Sequence, residues 1–521
     1  MYYEHPLIKR ESVQRRDYQV ELARQASLTS TLLVLPTGLG KTVVAAMVIA
    51  HVLHAKGGKV LFLAPTRPLV EQHYRSLQGM IEGKRIGMMT GEVDPLEREL
   101  TFLESDIVVS TPQVVSNDLR QGRMDLRDVR LLIFDEAHRA VGNYAYVDVA
   151  KAYLDHDGLV LGMTASPGSD KAKIEEVCRN LNIKAIEVRT ERDPDVAKYV
   201  QAISMDWVEV ELPPEMKALA QSIRSLYEQY LRELVDLQVV DKDRVTNKRY
   251  LLEMAETWQA RLRAGERSRA LYKALSVQAK AVKVEHALDL VETQGMSALR
   301  AYLQRLKEEA AMEDGSKAAR EIVSSERFQR ICEEAEAVKA EHPKLSRVMG
   351  VVARQLADSP SSRVLVFTHY RDTCDLVASK LGNVEGARVA KLVGQSDRNG
   401  ERGLRQREQV GVLQRFRDGE LNVLVATSVG EEGLDVASTD LVVFYEPVPS
   451  EIRTIQRRGR TGRSRAGRVV ILITKGTRDE AYYYSSLNKE RAMRRRLETL
   501  KEELGDGGRP KERGQLTLDG F

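Results

Sequence analysis

The sequence predicts an α/β protein built from two parallel-sheet domains with a helical domain inserted between them. Three observations predict this class. Short buried-type strands alternate with helical stretches over the first 200 residues, the alternation stops after about residue 203, and it returns near residue 363. Such alternation is typical of doubly wound sheets, whose functional loops follow the carboxyl ends of the strands. At 521 residues the chain exceeds the usual size of one core, so two or three domains are expected.

The composition indicates a well-packed core under a charged surface, with 42% hydrophobic and 30% charged residues. Neither a membrane-length apolar run nor the apolar region of a secretion signal occurs, so we expect a cytoplasmic protein without a membrane partner. The net charge of +4 permits nucleic-acid binding but does not require it. The three cysteines have no metal-binding spacing, and we expect them to behave as small buried hydrophobes.

The first strand, at residues 32–35, leads into a glycine-punctuated loop and then into an apolar helix. In such a turn, backbone N–H groups and the helix dipole converge on an anion, a lysine adds charge, and a hydroxyl binds Mg²⁺. Leu35 stands where the usual G-x-x-x-x-G-K-[ST] pattern has its first glycine, so a turn without a ligand remains the alternative. The predicted phosphate-binding residues, with Thr42 also binding the metal, are Pro36, Thr37, Gly38, Leu39, Gly40, Lys41 and Thr42.

The helix before this loop carries Arg16 and Gln19. A side-chain amide can donate to one adenine edge nitrogen and accept from the exocyclic amine, which fits adenine and mismatches guanine. We therefore predict that Arg16 and Gln19 bind the base of ATP, with an ordinary solvated amide as the alternative.

A second hydrophobic strand, at residues 131–134, ends in Asp135 and Glu136. Asp135 is predicted to hold Mg²⁺, and Glu136 to orient or deprotonate the attacking water. A surface loop after a strand is the alternative, but it does not explain two acids after four apolar residues. Other strands, at 59–63, before Thr90, at 106–110 and at 158–163, complete a first domain predicted over residues 1–203.

A helical insert is predicted over residues 204–349, because leucines recur there at helical spacing without a strand rhythm. Basic residues accumulate around Tyr250 and Trp258, which suggests a face that follows phosphates while a ring stacks on a base. A solvated charged helix is the alternative. The candidate nucleic-acid-binding residues of this face are Arg261, Arg263, Arg267 and Arg269.

A second α/β domain is predicted over residues 350–485, and it contains no phosphate-binding turn of its own. We therefore expect it to complete the first domain's site. Arginines three residues apart on a helix can reach a γ-phosphate across a cleft, although a run this basic could instead bind nucleic acid. The predicted residues are Gln456, Arg460 and Arg463 at the phosphates, Gly433 near the nucleotide and Asp435 near its ribose.

The ordered motifs closely resemble those of superfamily 2 helicases. They are R-x-Y-Q, P-T-G-L-G-K-T, A-P-T-R, D-E-A-H, T-A-S-P, A-T-x-x-x-x-E-G-L-D and Q-R-R-G-R-T-G-R. The insert and the segment at residues 392–395 look more closely like the archaeal Hef and Fanconi-anaemia M-type branch. The resemblance implies two RecA-like domains and the use of ATP and Mg²⁺.

The resemblance also implies roles for individual residues. Contacts to the sugar-phosphate backbone imply little sequence specificity. The residues implied to couple ATP to the bound strand, together with Gln456, are His138, Thr164 and Ser166. Those implied to hold the strand are Thr66, Arg67, Thr90, Gly91, Thr111, Thr368, Gly394, Gln395 and Thr427.

The expected function is that of an ATP-dependent DNA helicase or branch-migrating translocase on forks and four-way junctions, in repair of stalled replication. Polarity would be 3′ to 5′ by resemblance, and the protein would be nucleoid-associated. An RNA-duplex translocase or sensor is the enzymatic alternative. A scaffold that binds ATP without hydrolysing it is another, although the intact Lys41, Asp135 and Glu136 argue against it. Nothing after Arg463 resembles the E-R-K-x-x-x-D nuclease core of Hef proteins, so we expect a translocase without a nuclease, either naturally or because the sequence is part of a longer protein.

The last predicted segment, residues 486–521, is a charged helix followed by a glycine-rich tail. Gln515, Leu518 and Phe521 match the register of the sliding-clamp-binding box Q-x-x-h-x-x-a-a, so the clamp (PCNA in archaea) is a predicted partner. The sequence stops before the second aromatic of that pattern, and a chance match in a frayed tail is the alternative.

Overall fold

The computed structural model describes the chain except for residues 155, 169, 192, 200–202, 242, 244–247, 267, 395–405, 428–438, 448–466 and 507–521. Several predicted site residues lie outside the described residues, namely Arg267, Gln395, Gly433, Asp435, Gln456, Arg460, Arg463, Gln515, Leu518 and Phe521.

The first sheet is parallel, with strand order β3-β4-β2-β5-β6-β1-β7. Its inner strands are buried along their length because helices cover both faces, as their continuous apolar sequences predict. Its strands are β1 Thr31–Val34, β2 Lys59–Leu63, β3 Ile86–Met89, β4 Ile107–Ser110, β5 Val129–Asp135, β6 Leu159–Thr164 and β7 Ala185–Val188.

The second sheet is also parallel, with order β10-β11-β9-β12-β13-β8. Its strands are β8 Ile203–Val210, β9 Val364–Phe367, β10 Val389–Leu392, β11 Val423–Ala426, β12 Leu441–Phe444 and β13 Gly467–Thr474. Sequence analysis places residues 204–210 in the helical insert, whereas β8 pairs with β13 along its whole length. β8 precedes the insert in the chain, so its partner is more than 250 residues away and no local signal announces the pairing.

The helices flank the two sheets and build the insert between them. In the first domain they are α1 Asp17–Leu28, α2 Lys41–Lys56, α3 Arg67–Met80, α4 Pro95–Glu104, α5 Pro112–Arg120, α6 Ala145–Tyr153, α7 Lys171–Asn180 and α8 Pro194–Ala197. The insert contains α9 Pro214–Asp236, α10 Lys248–Arg263, α11 Arg269–Asp289, a π-turn Leu290–Gln294, α12 Met296–Ala311, α13 Lys317–Val323 and α14 Glu326–Ala337. The second domain adds α15 Pro343–Asp358, α16 Arg371–Leu381, α17 Gln406–Arg417 and α18 Arg478–Asp506.

The insert has a core of its own, and it is tied to the second domain by an ion pair and a hydrogen bond. Arg478 Nη1 of the second domain lies 2.7 Å from Glu285 Oε1 of the insert. Lys344 Nζ, which pairs with Asp479 within the second domain, also donates to the carbonyl of Thr293 in the insert at 3.1 Å. Trp258 is 1% exposed inside the insert core. The interpretation of Trp258 as a base-stacking ring is therefore wrong, because the indole has no free face.

Helix α18 joins the two α/β domains. It follows β13 of the second sheet, yet Met493, Leu497 and Leu500 pack into the core of the first domain. The predicted domain boundary at residue 485 falls inside this helix. Among the described residues, no helix combines the length and the apolar character that crossing a bilayer requires.

Candidate nucleotide site and nucleic-acid path

The turn between β1 and α2 has the backbone geometry of a phosphate cradle. Gly38 and Gly40 adopt φ values of 94° and 86°, which only glycine occupies without strain. A Cβ at Gly40 would lie 2.3 Å from Gln19 Nε2. Lys41 begins α2, and its Nζ donates to the carbonyl of Leu35 at 2.9 Å, which places the ammonium over the loop.

The side chains of Tyr18 and Gln19 clamp this loop from α1. Tyr18 Oη donates to the carbonyl of Leu39 at 2.8 Å, and Gln19 Nε2 donates to the same carbonyl at 3.0 Å. Gln19 is buried at 3% exposure, so it is not the ordinary solvated amide of the alternative interpretation. Its predicted contact with adenine stays a prediction, since its amide nitrogen is bonded to the loop. Arg16 lies at the N-terminus of α1, with its guanidinium over the ring of Tyr199.

Asp135 ends β5 at the carboxyl edge of the sheet and is 4% exposed. Its Oδ2 lies 2.8 Å from Nε2 of His73, a residue of α3. Burial by itself raises the pKa of Asp135, but the charge and hydrogen bond of His73 and the charge of Lys41 outweigh it, so the pKa lies below its ordinary value. The carboxylate is thus held ionised, as a cation ligand must be.

Sequence reasoning missed His73, although a signal was present. Val70, His73 and Leu77 form the buried stripe of α3 at helical spacing, and a histidine on such a stripe needs a polar partner. Its ring packs on Phe62, with 4.6 Å between ring centroids.

Glu136 is in the left-handed region, with φ 50° and ψ 49°. A non-glycine residue held there costs about 1–3 kcal/mol and persists only where its surroundings impose it. Glu136 Oε2 lies 3.4 Å from His138 Nδ1.

The three predicted coupling residues lie in one hydrogen-bonded chain. His138 Nδ1 lies 3.0 Å from Thr164 Oγ1, and Thr164 Oγ1 donates to the carbonyl of Ser166 at 3.0 Å. Ser166 Oγ in turn donates to Met493 Sδ on α18 at 2.9 Å. The chain therefore runs from the residue beside Glu136 to a helix of the second domain, while its role in coupling stays a prediction.

Comparisons with known proteins identify the family of this chain. The family model described as DEAD/DEAH box helicase matches residues 16–174, and the helicase conserved C-terminal domain matches residues 344–465. A model for the helical bundle of an ATP-dependent RNA helicase matches residues 215–343. The crystal structure of the Pyrococcus furiosus Hef helicase domain is 44% identical, with a TM-score of 0.70, and the match covers 92% of this chain and 100% of that one. The chain belongs to the Hef-type family of DEAD/DEAH box helicases.

Two longer relatives are similar to this helicase. A Methanocaldococcus jannaschii protein, named as an ATP-dependent RNA helicase, is 40% identical over 502 residues, which are 96% of this chain and 63% of that protein. The ATP-dependent DNA helicase mph1 of Neurospora crassa is 32% identical over 488 residues, 90% of this chain and 41% of its own length. The chain thus spans less than two thirds of either relative. The predicted fold class and the prediction of an ATP-dependent helicase are confirmed.

The strand order of the helicase separates two groups of predicted site residues along one sheet edge. Thr90, Thr111 and Thr66 follow β3, β4 and β2, which are neighbours on one side of the first sheet. Asp135 and Thr164 end β5 and β6, and the phosphate-binding turn follows β1; these three strands are neighbours on the other side. The strand order therefore places the predicted nucleotide-binding residues in one half of the sheet edge and the predicted nucleic-acid contacts in the other half.

The second sheet repeats this grouping. Gly394, Thr427 and Thr368 follow β10, β11 and β9, three adjacent strands. Thr368 and Thr427 are buried, and Thr368 Oγ1 donates to the carbonyl of Tyr370 at 3.4 Å. The carbonyl of Gly394 accepts from Arg371 at 2.8 Å.

The predicted nucleic-acid contacts of the first domain differ in whether their polar groups already have partners within the protein. Thr66 Oγ1 is buried and has no hydrogen-bond partner within the described part of the chain, so a phosphate oxygen would satisfy it. Arg67 is held by Glu71 at 2.9 Å and by Glu92. Thr90 is buried, Gly91 is exposed, and Thr111 immediately precedes α5.

The insert arginines are only partly available for binding. Arg261 forms a two-pronged ion pair with Glu266, with both N–O distances 2.7 Å. Arg263 and Arg269 are exposed near the α10–α11 junction. Tyr250 is half-buried, and its Oη accepts from the backbone N–H of Asp241 at 3.1 Å.

Proposed function

We propose that this helicase is an ATP-driven DNA translocase that remodels forks and four-way junctions during repair of stalled replication, moving 3′ to 5′. The observation that carries the proposal is the grouping along the sheet edges. Three adjacent strands in each domain end in candidate backbone contacts, and the neighbouring strands of the first domain end in the nucleotide site. One strand of nucleic acid lying across both edges would touch both domains, as translocation requires. The protein would be cytoplasmic and nucleoid-associated.

The residues present fit ATP with Mg²⁺. Gly38 and Gly40, with their positive φ values, and the Lys41 ammonium suit an anionic phosphate chain. The buried, ionised carboxylate of Asp135 suits the cation that accompanies it. Thr42, in the first turn of α2, and Asp135 would hold the Mg²⁺, which supplies charge neutralisation when bound. Glu136 would orient the attacking water and accept its proton.

The second domain would complete the site through residues outside the described ones. Gln456, Arg460 and Arg463 would neutralise charge on the γ-phosphate, and Gly433 and Asp435 would contact the nucleotide and its ribose. Arginines that act in this way raise kcat for hydrolysis by roughly 10³- to 10⁵-fold.

Glu136→Gln tests the hydrolytic role against that of a non-hydrolysing scaffold. The substitution removes the base but keeps the size and the hydrogen-bonding reach of the side chain. We expect ATP binding to persist and phosphate release to be lost. Unchanged phosphate release would refute the assignment of Glu136.

The choice of DNA over RNA rests on the relatives. The mph1 protein is named a DNA helicase, whereas the M. jannaschii relative and the helical-bundle model are named for RNA helicases. RNA duplex is therefore the second candidate substrate, and the 2′-hydroxyl would distinguish the two. ATP-dependent strand separation should be measured on forks, four-way junctions, overhangs and RNA duplexes; stronger activity on RNA would overturn the DNA proposal.

A sliding clamp is the proposed protein partner, through Gln515, Leu518 and Phe521, which lie outside the described residues. A helical turn there would bring Leu518 and Phe521 together as an apolar plug, with Gln515 hydrogen-bonding beside it. A peptide of the last dozen or so residues should bind archaeal PCNA, and Phe521→Ala should abolish the binding. Equal binding of the two peptides would mark the box as accidental.

A further inference from the structure

Helix α4 carries a stripe of leucines that faces solvent. Leu96, Leu100 and Leu103 are 69%, 57% and 61% exposed. Their spacing of four and then three residues places them on one face of the helix. We call these three residues the leucine stripe. An apolar stripe on a helix normally faces the core, so this one needs a separate explanation.

The stripe is not exposed through loose packing, because the opposite face of α4 is firmly anchored. Phe102 is buried in the domain core, and Arg98 makes a two-pronged ion pair with the buried Asp118, at 2.8 and 2.9 Å. Arg98 Nη1 also donates to the carbonyl of Val93 at 2.6 Å. Rotation of the helix to bury the leucines would break all of these contacts.

Both ends of the helix are fixed as well. Asp94 caps the N-terminus by accepting from the N–H of Leu96 at 2.9 Å. Lys59 Nζ donates to the carbonyls of Leu103 and Ser105, at 2.8 and 2.7 Å, across the C-terminus. The leucine stripe is thus preorganised, and a partner would pay little conformational entropy to use it.

The residues beside the stripe identify the chemistry of its partner. In heptad terms, the leucines occupy successive d, a and d positions, and Glu97, Glu99 and Glu104 occupy the flanking e, g and e positions. Glu104 is paired with the exposed Arg85 at 3.0 Å, which leaves Glu97 and Glu99 as the main rim charges. A second copy of α4 would place glutamates against glutamates, so the rim disfavours self-association.

We propose that the leucine stripe is a docking site for an amphipathic helix of a partner protein that carries leucine-like residues at a and d, and lysine or arginine at e and g. The site adjoins the candidate nucleic-acid path, because Thr90 and Gly91 lie a few residues before Asp94 and Glu92 pairs with Arg67. The docked helix would sit beside the bound strand. This role goes beyond translocation and does not depend on whether the substrate is DNA or RNA.

Binding of synthetic helices to the full chain tests the proposal. The first peptide has three heptads with leucine at a and d and lysine at e and g; the second has glutamate at e and g; the third keeps the lysines but has serine at a and d. Titrations at about 150 mM salt, a concentration that screens exposed charges beyond roughly 8 Å, should show binding of the first peptide alone by fluorescence anisotropy. Replacing all three stripe leucines by serine should weaken it by about tenfold or more, since buried anchors carry most of the energy of such contacts.

Matched variants separate the outcomes. Leu154→Ser removes another exposed leucine of the same domain and should change nothing. Glu97→Lys with Glu99→Lys should transfer preference to the glutamate peptide. Equal binding of the lysine and glutamate peptides, or an unaffected serine variant, would overturn the proposal. Self-association of the wild-type chain that Leu100→Glu abolishes would also overturn it, because the occupant would then be a second copy. Melting temperature and nucleic-acid-stimulated ATPase of the serine variant should stay normal, which distinguishes this result from failure of the proposed translocase function.

Discussion

Replacing His73 should weaken the use of Mg²⁺ by the helicase without abolishing ATP binding. His73 Nε2 lies 2.8 Å from Asp135 Oδ2, and both side chains are 6% exposed. Removing the donor would leave a buried carboxylate oxygen without its partner. A hydrogen bond to a charged group contributes about 1.5–3 kcal/mol, which corresponds to a factor of about 10 to 150. Residues that hydrogen-bond to metal-ligating side chains typically contribute about 10- to 100-fold to metal affinity or activity. This range agrees with the factor derived from the hydrogen-bond energy.

His73→Phe is the most informative variant because it removes the donor but keeps a ring against Phe62, where the centroids are now 4.6 Å apart. The Mg²⁺ concentration for half-maximal ATPase should rise about tenfold or more, while Mg²⁺-free binding of a fluorescent ATP analogue stays near wild type. His73→Gln, which retains a donor of similar reach, should recover part of the loss. If His73→Phe reaches half-maximal ATPase at the same or a lower Mg²⁺ concentration, His73 does not position Asp135 and the reasoning fails.

Three further predictions concern the rest of the molecule. Burial and the charge of Lys344 lower the pKa of His342 from 6.5 to about 3. The unfolded chain therefore binds a proton that the folded chain excludes, so stability present above about pH 6.5 is lost as the pH falls toward about 3. Between about pH 6.5 and 5, the free energy of unfolding that this residue contributes falls by about 1.6 kcal/mol, and His342→Gln should flatten that part of the pH profile of the melting temperature. Met493→Leu keeps the packing volume of α18 but removes the sulfur that accepts a hydrogen bond from Ser166. The number of base pairs separated per ATP hydrolysed should therefore fall, while nucleic-acid-stimulated ATPase persists. An unchanged number of base pairs per ATP would show that this contact has no role in coupling. Replacing the insert arginines by glutamine should reduce the slope of log binding constant against log salt concentration for branched DNA by about one unit for each phosphate that is no longer bound. An unaltered slope would show that these arginines lie on a solvated face. These arginines are Arg261, Arg263, Arg267 and Arg269.

Local sequence patterns predicted the elements around the nucleotide site because the chemistry there is local. The turn from Pro36 to Thr42 combines strand, glycines, lysine and helix within one short run, and Asp135 ends its own strand. The buried cysteines also agree with prediction, since Cys178, Cys332 and Cys374 are all buried.

Long-range pairing explains what the sequence did not reveal. β8 includes the exposed Trp207, and its partner β13 comes after the whole insert. Trp258 lies among basic residues along the chain, yet its indole faces the insert core. The bond from His73 to Asp135 joins positions 62 residues apart, so only the tertiary structure brings them together.

Helix α3 physically links the two halves of the first sheet edge. It begins after Thr66, a candidate backbone contact whose buried hydroxyl has no partner among the described residues, and two turns later it presents His73 to Asp135. Seven residues of helix span about 10 Å, so we expect a shift of α3 at Thr66 to move His73 and with it Asp135, the predicted metal ligand. This route differs from the chain of His138, Thr164 and Ser166, which leaves the site toward α18 and the second domain. The predicted nucleotide site is thus connected through α3 to Thr66, a predicted strand contact of the first domain, and through His138, Thr164 and Ser166 to α18. Helix α3 follows β2, and Asp135 ends β5. Because β2 and β5 are neighbours in the sheet, the strand order itself brings α3 next to Asp135.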